Sequence, residues 1–237
     1  MNNCTPEVLG VVGGLGPLAS SEFVKTIYQY SLAGREQNSP VVFLHSDPGF
    51  PDRTDELLAG NGAELLELLV IALRRLRQYG ASKVVICCVT LHHVLPAVPD
   101  DLRGRVVSLV DVIIDAVLKS RKRHLLMCTT GARELRIFEA HSRWRLAEDY
   151  ITFPNESDQR LIHSGIIYQI KKNCDIGGLM PLLQQILSRY GTDSFIAGCT
   201  ELHLLAKHLT STRVESDAYA CLDPLEIIAR EVATKHL

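Results

Sequence analysis

The chain has 237 residues, 46% of them hydrophobic, which is enough to bury a core and excludes a disordered chain. A formal charge of −2 at pH 7 offers no field for nucleic acid or anionic lipid, so no nucleic acid and no membrane is expected, and a small molecule is the expected partner. Seven cysteines, an odd number with no C-x-x-C pair, exclude a disulfide scaffold and point to reduced thiols in a cytoplasmic protein.

The opening MNNCTPEVLG has neither the basic region nor the apolar run of a targeting segment, and no apolar stretch reaches the roughly 18 residues of a membrane span. EVLGVVGG reads as a short buried strand ending in glycine, and PLASSEFVKTIYQYSLAG follows with helical periodicity and Pro17 placed for a first helical turn. VVFLHSD is a second strand, PGFPDRT a loop, and AELLELLVIALRRLRQYG an apolar helix closed by Gly80. KVVICC is the next strand. LRGRVVSLVDVIIDAVLKSRKRHLLMCTT supplies strand, helix and strand, and the alternation runs on through SDQRLIHSGIIYQIKKN and MPLLQQILSRYG to the strand SFIAGC. The basic KSRKRH falls where a helix ends, which suits cations there, and Trp144 is expected to pack rather than stack on a ligand. Strands that are continuous apolar runs imply parallel sheets covered on both faces, so the fold class is α/β. Ligands of such sheets sit beyond the carboxyl ends of the strands.

Two strands end there in the same word. Cys88 and Cys199 each open a C-x-x-L-H sequence, and 111 residues separate them, close to half the chain. The repeat predicts two similar halves, residues 1–117 and 118–222, with the C-terminal helix 223–237 returning to pack on the first. Cys4, Cys87, Cys128, Cys174 and Cys221 read as small core hydrophobes. Cys88 and Cys199 differ, because each follows an apolar strand and precedes an expected helix start, where the helix dipole lowers a thiol's pKa.

The clustering of Cys with His also admits a zinc site or a cysteine hydrolase. Zinc needs a second ligand set at a recognised spacing, which is missing, and a hydrolase needs one thiol where this chain places two. Two equivalent thiols facing one cleft suit a reaction with mirror symmetry, in which one thiolate removes a proton from a carbon and the opposite thiol delivers one to its other face. Reacting distances of about 3 to 3.5 Å on each side place the sulfurs about 6 to 7 Å apart. That is racemisation or epimerisation.

These residues resemble the PLP-independent aspartate/glutamate racemase family. GVVGGLGPLAS resembles its G-G-M-G-P opening, PDRT at Pro51 to Thr54 its I-P-D-R-T loop, CVTLH its first-cysteine motif C-N-T-A-H, and AGCTEL at Ala197 to Leu202 its second-cysteine motif. The resemblance implies two pseudo-symmetric α/β domains with the active site in the cleft between them, no cofactor, no metal, a homodimer and an amino-acid substrate, acidic amino acids first. It implies acid and base roles for Cys88 and Cys199, a substrate carboxylate on Arg53, and an α-carboxylate held by Thr90, Thr200 and nearby backbone, with Leu15 and Val89 beside them. Val89 stands where the motif has Asn, which implies a less polar pocket and a substrate other than plain aspartate. Glu201 would tune the second thiol or hold the ammonium, and the family's lysine falls on Lys171 or Lys172. His92 and His203 are expected to orient loops.

Other readings remain on the table at this point. A non-catalytic or altered-substrate relative, acting on a dicarboxylate by binding, isomerisation or decarboxylation, is motivated by Val89. An NAD-dependent dehydrogenase is motivated by the match of Gly14 to Ala19 with G-x-G-x-x-G/A, although Asp47 lies farther on than the acidic partner that fingerprint requires.

Overall fold

The computed structural model describes residues 8–32, 35–211 and 219–234. Cys4 and residues 235–237 of the anticipated C-terminal helix lie outside them. Among the described residues, eight strands form two parallel sheets. In the first, β1 (Val8–Gly13), β2 (Val41–Ser46), β3 (Lys83–Ile86) and β4 (Val106–Val107) take the order β2-β1-β3-β4; in the second, β5 (His124–Cys128), β6 (Ile151–Thr152), β7 (Ser194–Gly198) and β8 (Ala220–Leu222) take the order β6-β5-β7-β8. Counted from its own first strand, each half has the same order. Each half therefore reverses direction between its first and third strands, and a crevice opens beyond their carboxyl ends.

The strands are apolar on both faces because both faces are covered. Leu9 and Val11 of β1 enter one core cluster, while Val12 enters another with Leu65, Leu69, Leu73 and Leu76 of the helix Gly62–Gln78. The first of these clusters belongs to both halves. Val11 and Val85 of one sheet meet Leu126 and Ile196 of the other through residues of the helices Pro17–Ser31, Leu109–Ser120 and Pro224–Ala233. Residue 117 falls inside the second of those helices, and the last packs against the first, with Tyr30 donating to Glu226 Oε1 at 2.7 Å. Trp144 packs on this core, its ring centroid 5.7 Å from that of Phe153.

One strand departs from expectation. VVFLHS forms β2, but as the sheet edge, with Val41 39% and Phe43 and Leu44 each 37% exposed. An apolar run marks a strand without saying whether a neighbour covers it. Among the described residues no helix is long and apolar enough to cross a membrane.

Candidate active site

The first crevice is built by glycine. Gly14 has φ of 85°, and a Cβ there would lie 2.3 Å from the Asp47 backbone, so only glycine lets the loop after β2 close on the end of β1. Pro17 then starts the next helix.

Cys88 leaves β3 through a tight turn in which its N–H donates to the Ile86 carbonyl at 2.7 Å. The segment beyond, Thr90–Ala97, is the expected helix start, formed as a 3-10 helix with Pro96 inside it. His92 pins the turn from below: Nδ1 donates to the Cys88 carbonyl at 2.9 Å and Nε2 accepts the Leu109 N–H at 3.0 Å. An imidazole that accepts on one nitrogen is neutral, and burial pushes its pKa down to about 4. The unfolded chain takes up this proton near pH 6.5 and the folded one only near 4. The stabilisation is therefore complete above pH 6.5 and is lost on acidification toward about 4. Urea titrations should show roughly 3 kcal/mol lost over that span, and a shallower slope in His92→Gln; equal slopes would remove His92 from the account.

Cys199 follows β7, and its thiol donates to Glu201 Oε2 at 2.8 Å. Burial, reinforced by the Glu201 charge, pushes this thiol well above its usual pKa, with Lys171 opposing. The expected lowering by a helix start is overturned here, because desolvation and an adjacent carboxylate outweigh the dipole. Cys199 holds its proton at neutral pH. The other oxygen of Glu201, Oε1, is buried without a hydrogen-bond partner and lies 4.0 Å from Lys171 Nζ. Gly16 makes room for it, since a Cβ there would sit 2.1 Å from Oε1. Gly16→Ala is expected to displace the carboxylate, lower the Cys199 pKa and speed its alkylation at pH 8 several-fold by peptide mass spectrometry. An unchanged rate would show that Glu201 does not hold the thiol.

Arg53 begins the short helix Arg53–Leu58. Its Nη1 donates to the Pro51 carbonyl at 2.9 Å and the Phe50 carbonyl at 3.3 Å, and its Nη2 to the Leu15 carbonyl at 2.6 Å. Nε is buried and unpartnered. Burial works against the guanidinium's charge, yet the neighbouring Cys88, Asp52 and Glu201 raise its pKa. The two thiols thus have unlike neighbours, Arg53 beside Cys88 and Glu201 beside Cys199. All belong to one electrostatic cluster, since Cys88 also contributes to raising the Cys199 pKa. Both cysteines are free thiols, 7% and 6% exposed.

The remaining expected residues divide. Leu15, Arg53, Lys171 and Glu201 line a pocket of about 250 Å³ between the halves, with Gly16 and Asp52. Thr90 and Thr200 are buried and tie the halves together: Thr90 Oγ1 meets Thr129 Oγ1 at 2.9 Å, and Thr200 donates to the Cys87 carbonyl at 3.1 Å. Val89 does not line the pocket; at 1% exposure its side chain packs in the shared core. The motif's polar position has here been absorbed into packing. His203 is buried between elements, its Nδ1 bonding Asp223 Oδ2 at 2.5 Å and its Nε2 Thr26 Oγ1 at 3.0 Å. Of the two candidate lysines, Lys171 reaches the pocket while Lys172 is exposed. Two residues were not anticipated. Asp52 caps the Arg53 helix, its Oδ1 accepting from the N–H groups of Thr54 (2.8 Å) and Asp55 (3.2 Å), and its Oδ2 accepts from the Tyr168 hydroxyl of the other half at 2.8 Å. An Asp directly before a helix start is a capping signal in the sequence; nothing local marks Tyr168.

A family model described as Asp/Glu/Hydantoin racemase matches residues 12–232. The chain belongs to that racemase family. Solved structures of similar fold include the Picrophilus torridus aspartate racemase, 19% identical, covering 97% of this chain and 94% of that one with a TM-score of 0.79. A putative Asp/Glu racemase from Yersinia pestis is 20% identical over 97% of this chain and 99% of that one, TM-score 0.72. An aspartate racemase homologue from Pyrococcus horikoshii is 19% identical over 97% and 99%, TM-score 0.67. At these identities the structural likeness speaks for the fold, so in this racemase-family member the roles of individual residues rest on its own geometry.

Proposed function

We propose that this protein is a cofactor-independent amino-acid racemase that works with two thiols, on acidic amino acids first. The observation that carries this reading is the pair of unlike thiol neighbours, Arg53 at Cys88 and Glu201 at Cys199, in one cluster between the halves.

A carbon acid as weak as an amino-acid Cα needs both a base and stabilisation of the charge it leaves. In this reading Cys199, whose S–H donates to Glu201, is the acid of the first step, and the base is Cys88, which enters as the thiolate once its own proton has gone to solvent. Its sulfur takes the Cα proton as the C–H bond breaks, and the electron pair moves toward the substrate carboxylate. The buried Nε–H of Arg53, still without a partner, is a donor for that carboxylate. The Cys199 S–H bond then breaks and its proton goes to the opposite face of Cα, which inverts the centre. The enzyme is left with a Cys88 thiol and a Cys199 thiolate, the form that carries out the reverse reaction. Glu201 Oε1, buried and unpartnered, is an acceptor for the substrate ammonium. Lys171 supplies a second cation for a side-chain carboxylate.

The test is α-proton exchange in deuterated water, followed by NMR for both enantiomers of a full amino-acid panel and for substituted hydantoins. Exchange with inversion on at least one amino acid supports the reading. If nothing exchanges above a Cys88→Ala, Cys199→Ala double variant, the reading is wrong.

A further inference from the structure

Tyr168 reaches both cations of the pocket, Lys171 directly and Arg53 through Asp52. Its hydroxyl donates to Asp52 Oδ2 at 2.8 Å across the cleft, and the same carboxylate caps the helix that begins with Arg53. Lys171 Nζ lies 5.0 Å from the centroid of the Tyr168 ring, a cation–π contact. The ring also packs against His163, centroids 4.7 Å apart, and His163 is itself fixed because its Nδ1 accepts the Thr130 N–H at 3.0 Å. Burial first, and then the bond to Asp52, push the Tyr168 phenol well above its usual pKa, so it stays a donor.

A substrate must pass between the halves to reach the sulfurs of two cysteines that are only 7% and 6% exposed. Of the bonds that cross the cleft near the thiols, Thr90 to Thr129 and Thr200 to Cys87 are buried, whereas Tyr168 to Asp52 is only part-buried. A part-buried bond exchanges with water at the least cost. The segment leading into Tyr168, Leu161–Ile167, is a π-helix, a wider turn found often at functional sites. We propose that Tyr168 is a positioning residue and the latch of the cleft: its hydroxyl closes the halves over Cys88 and Cys199 and sets Arg53 and Lys171 for the substrate's carboxylates. What the cations hold rests on the racemase reading; the latch itself does not.

The test separates the two. Iodoacetamide labelling of Cys88 and Cys199, quantified by peptide mass spectrometry, reports opening without any turnover. Tyr168→Phe keeps the ring and removes the hydroxyl, and both thiols should label roughly three- to tenfold faster, with the melting temperature within a few degrees of wild type. Tyr168→Leu removes the ring as well and should label at least as fast. Wild-type labelling rates in both variants overturn the latch, whether or not the protein racemises anything. With a substrate in hand, Tyr168→Phe should raise KM more than it lowers kcat; a fall in kcat at constant KM overturns the positioning role.

Discussion

Alanine in place of either Cys88 or Cys199 should lower racemisation kcat/KM by roughly 10³-fold or more in both directions, because inversion needs an acid and a base on opposite faces. The informative result is what survives. A single thiol can remove a proton and return solvent deuterium to the same face, so each variant should still exchange one enantiomer without inverting it. With Cys88 left, the enantiomer whose Cα–H faces Cys88 exchanges; with Cys199 left, its mirror image does. Folding should be little affected, since each change removes a single buried sulfur atom. If either variant racemises within tenfold of wild type, the two-thiol mechanism is wrong. If both exchange the same enantiomer, the thiols do not face one carbon from opposite sides.

Arg53→Lys should lower kcat/KM by roughly 10²-fold, through a higher KM and a lower kcat together. Lysine keeps the charge but not the fork. The guanidinium spends its two terminal nitrogens on the carbonyls of Leu15, Phe50 and Pro51, and this leaves Nε buried and unpartnered. An ammonium that meets those carbonyls has no second, fixed donor to offer. Steady-state kinetics on both enantiomers will decide it, and a loss smaller than about threefold would mean that charge alone suffices and the loop bonds are incidental to catalysis.

What the sequence made legible was local. The apolar runs of β3 and β7 each run straight into a C-x-x-L-H word, so strand, thiol and their common position could be read together. β6 and β8, two and three residues long, are too short to carry a period. The choice between Lys171 and Lys172 was open for a geometric reason: consecutive residues on a helix point about 100° apart, and the π-helix just before them shifts the phase by an amount no apolar pattern records. Tyr168 and Asp52 are 116 residues apart, and only the closure of the halves brings them together. Thr90 and Thr200 were placed at the thiols, but their hydroxyls face the opposite half, a direction set by tertiary contact. The thiol pKa expectation erred at Cys199 because a motif cannot report how dry its surroundings are.

The duplicated strand order, with different groups beside each sulfur, has a kinetic consequence. Mirror-image forms of a molecule with one stereocentre have equal free energy in water, so the equilibrium constant is one. The forward and reverse specificity constants must then be identical, however dissimilar the surroundings of the two sulfurs. A guanidinium on one side and a carboxylate on the other can only make the enzyme bind one hand more tightly while turning it over more slowly in the same proportion. Progress curves started from either pure enantiomer should therefore coincide at low concentration and diverge at saturation.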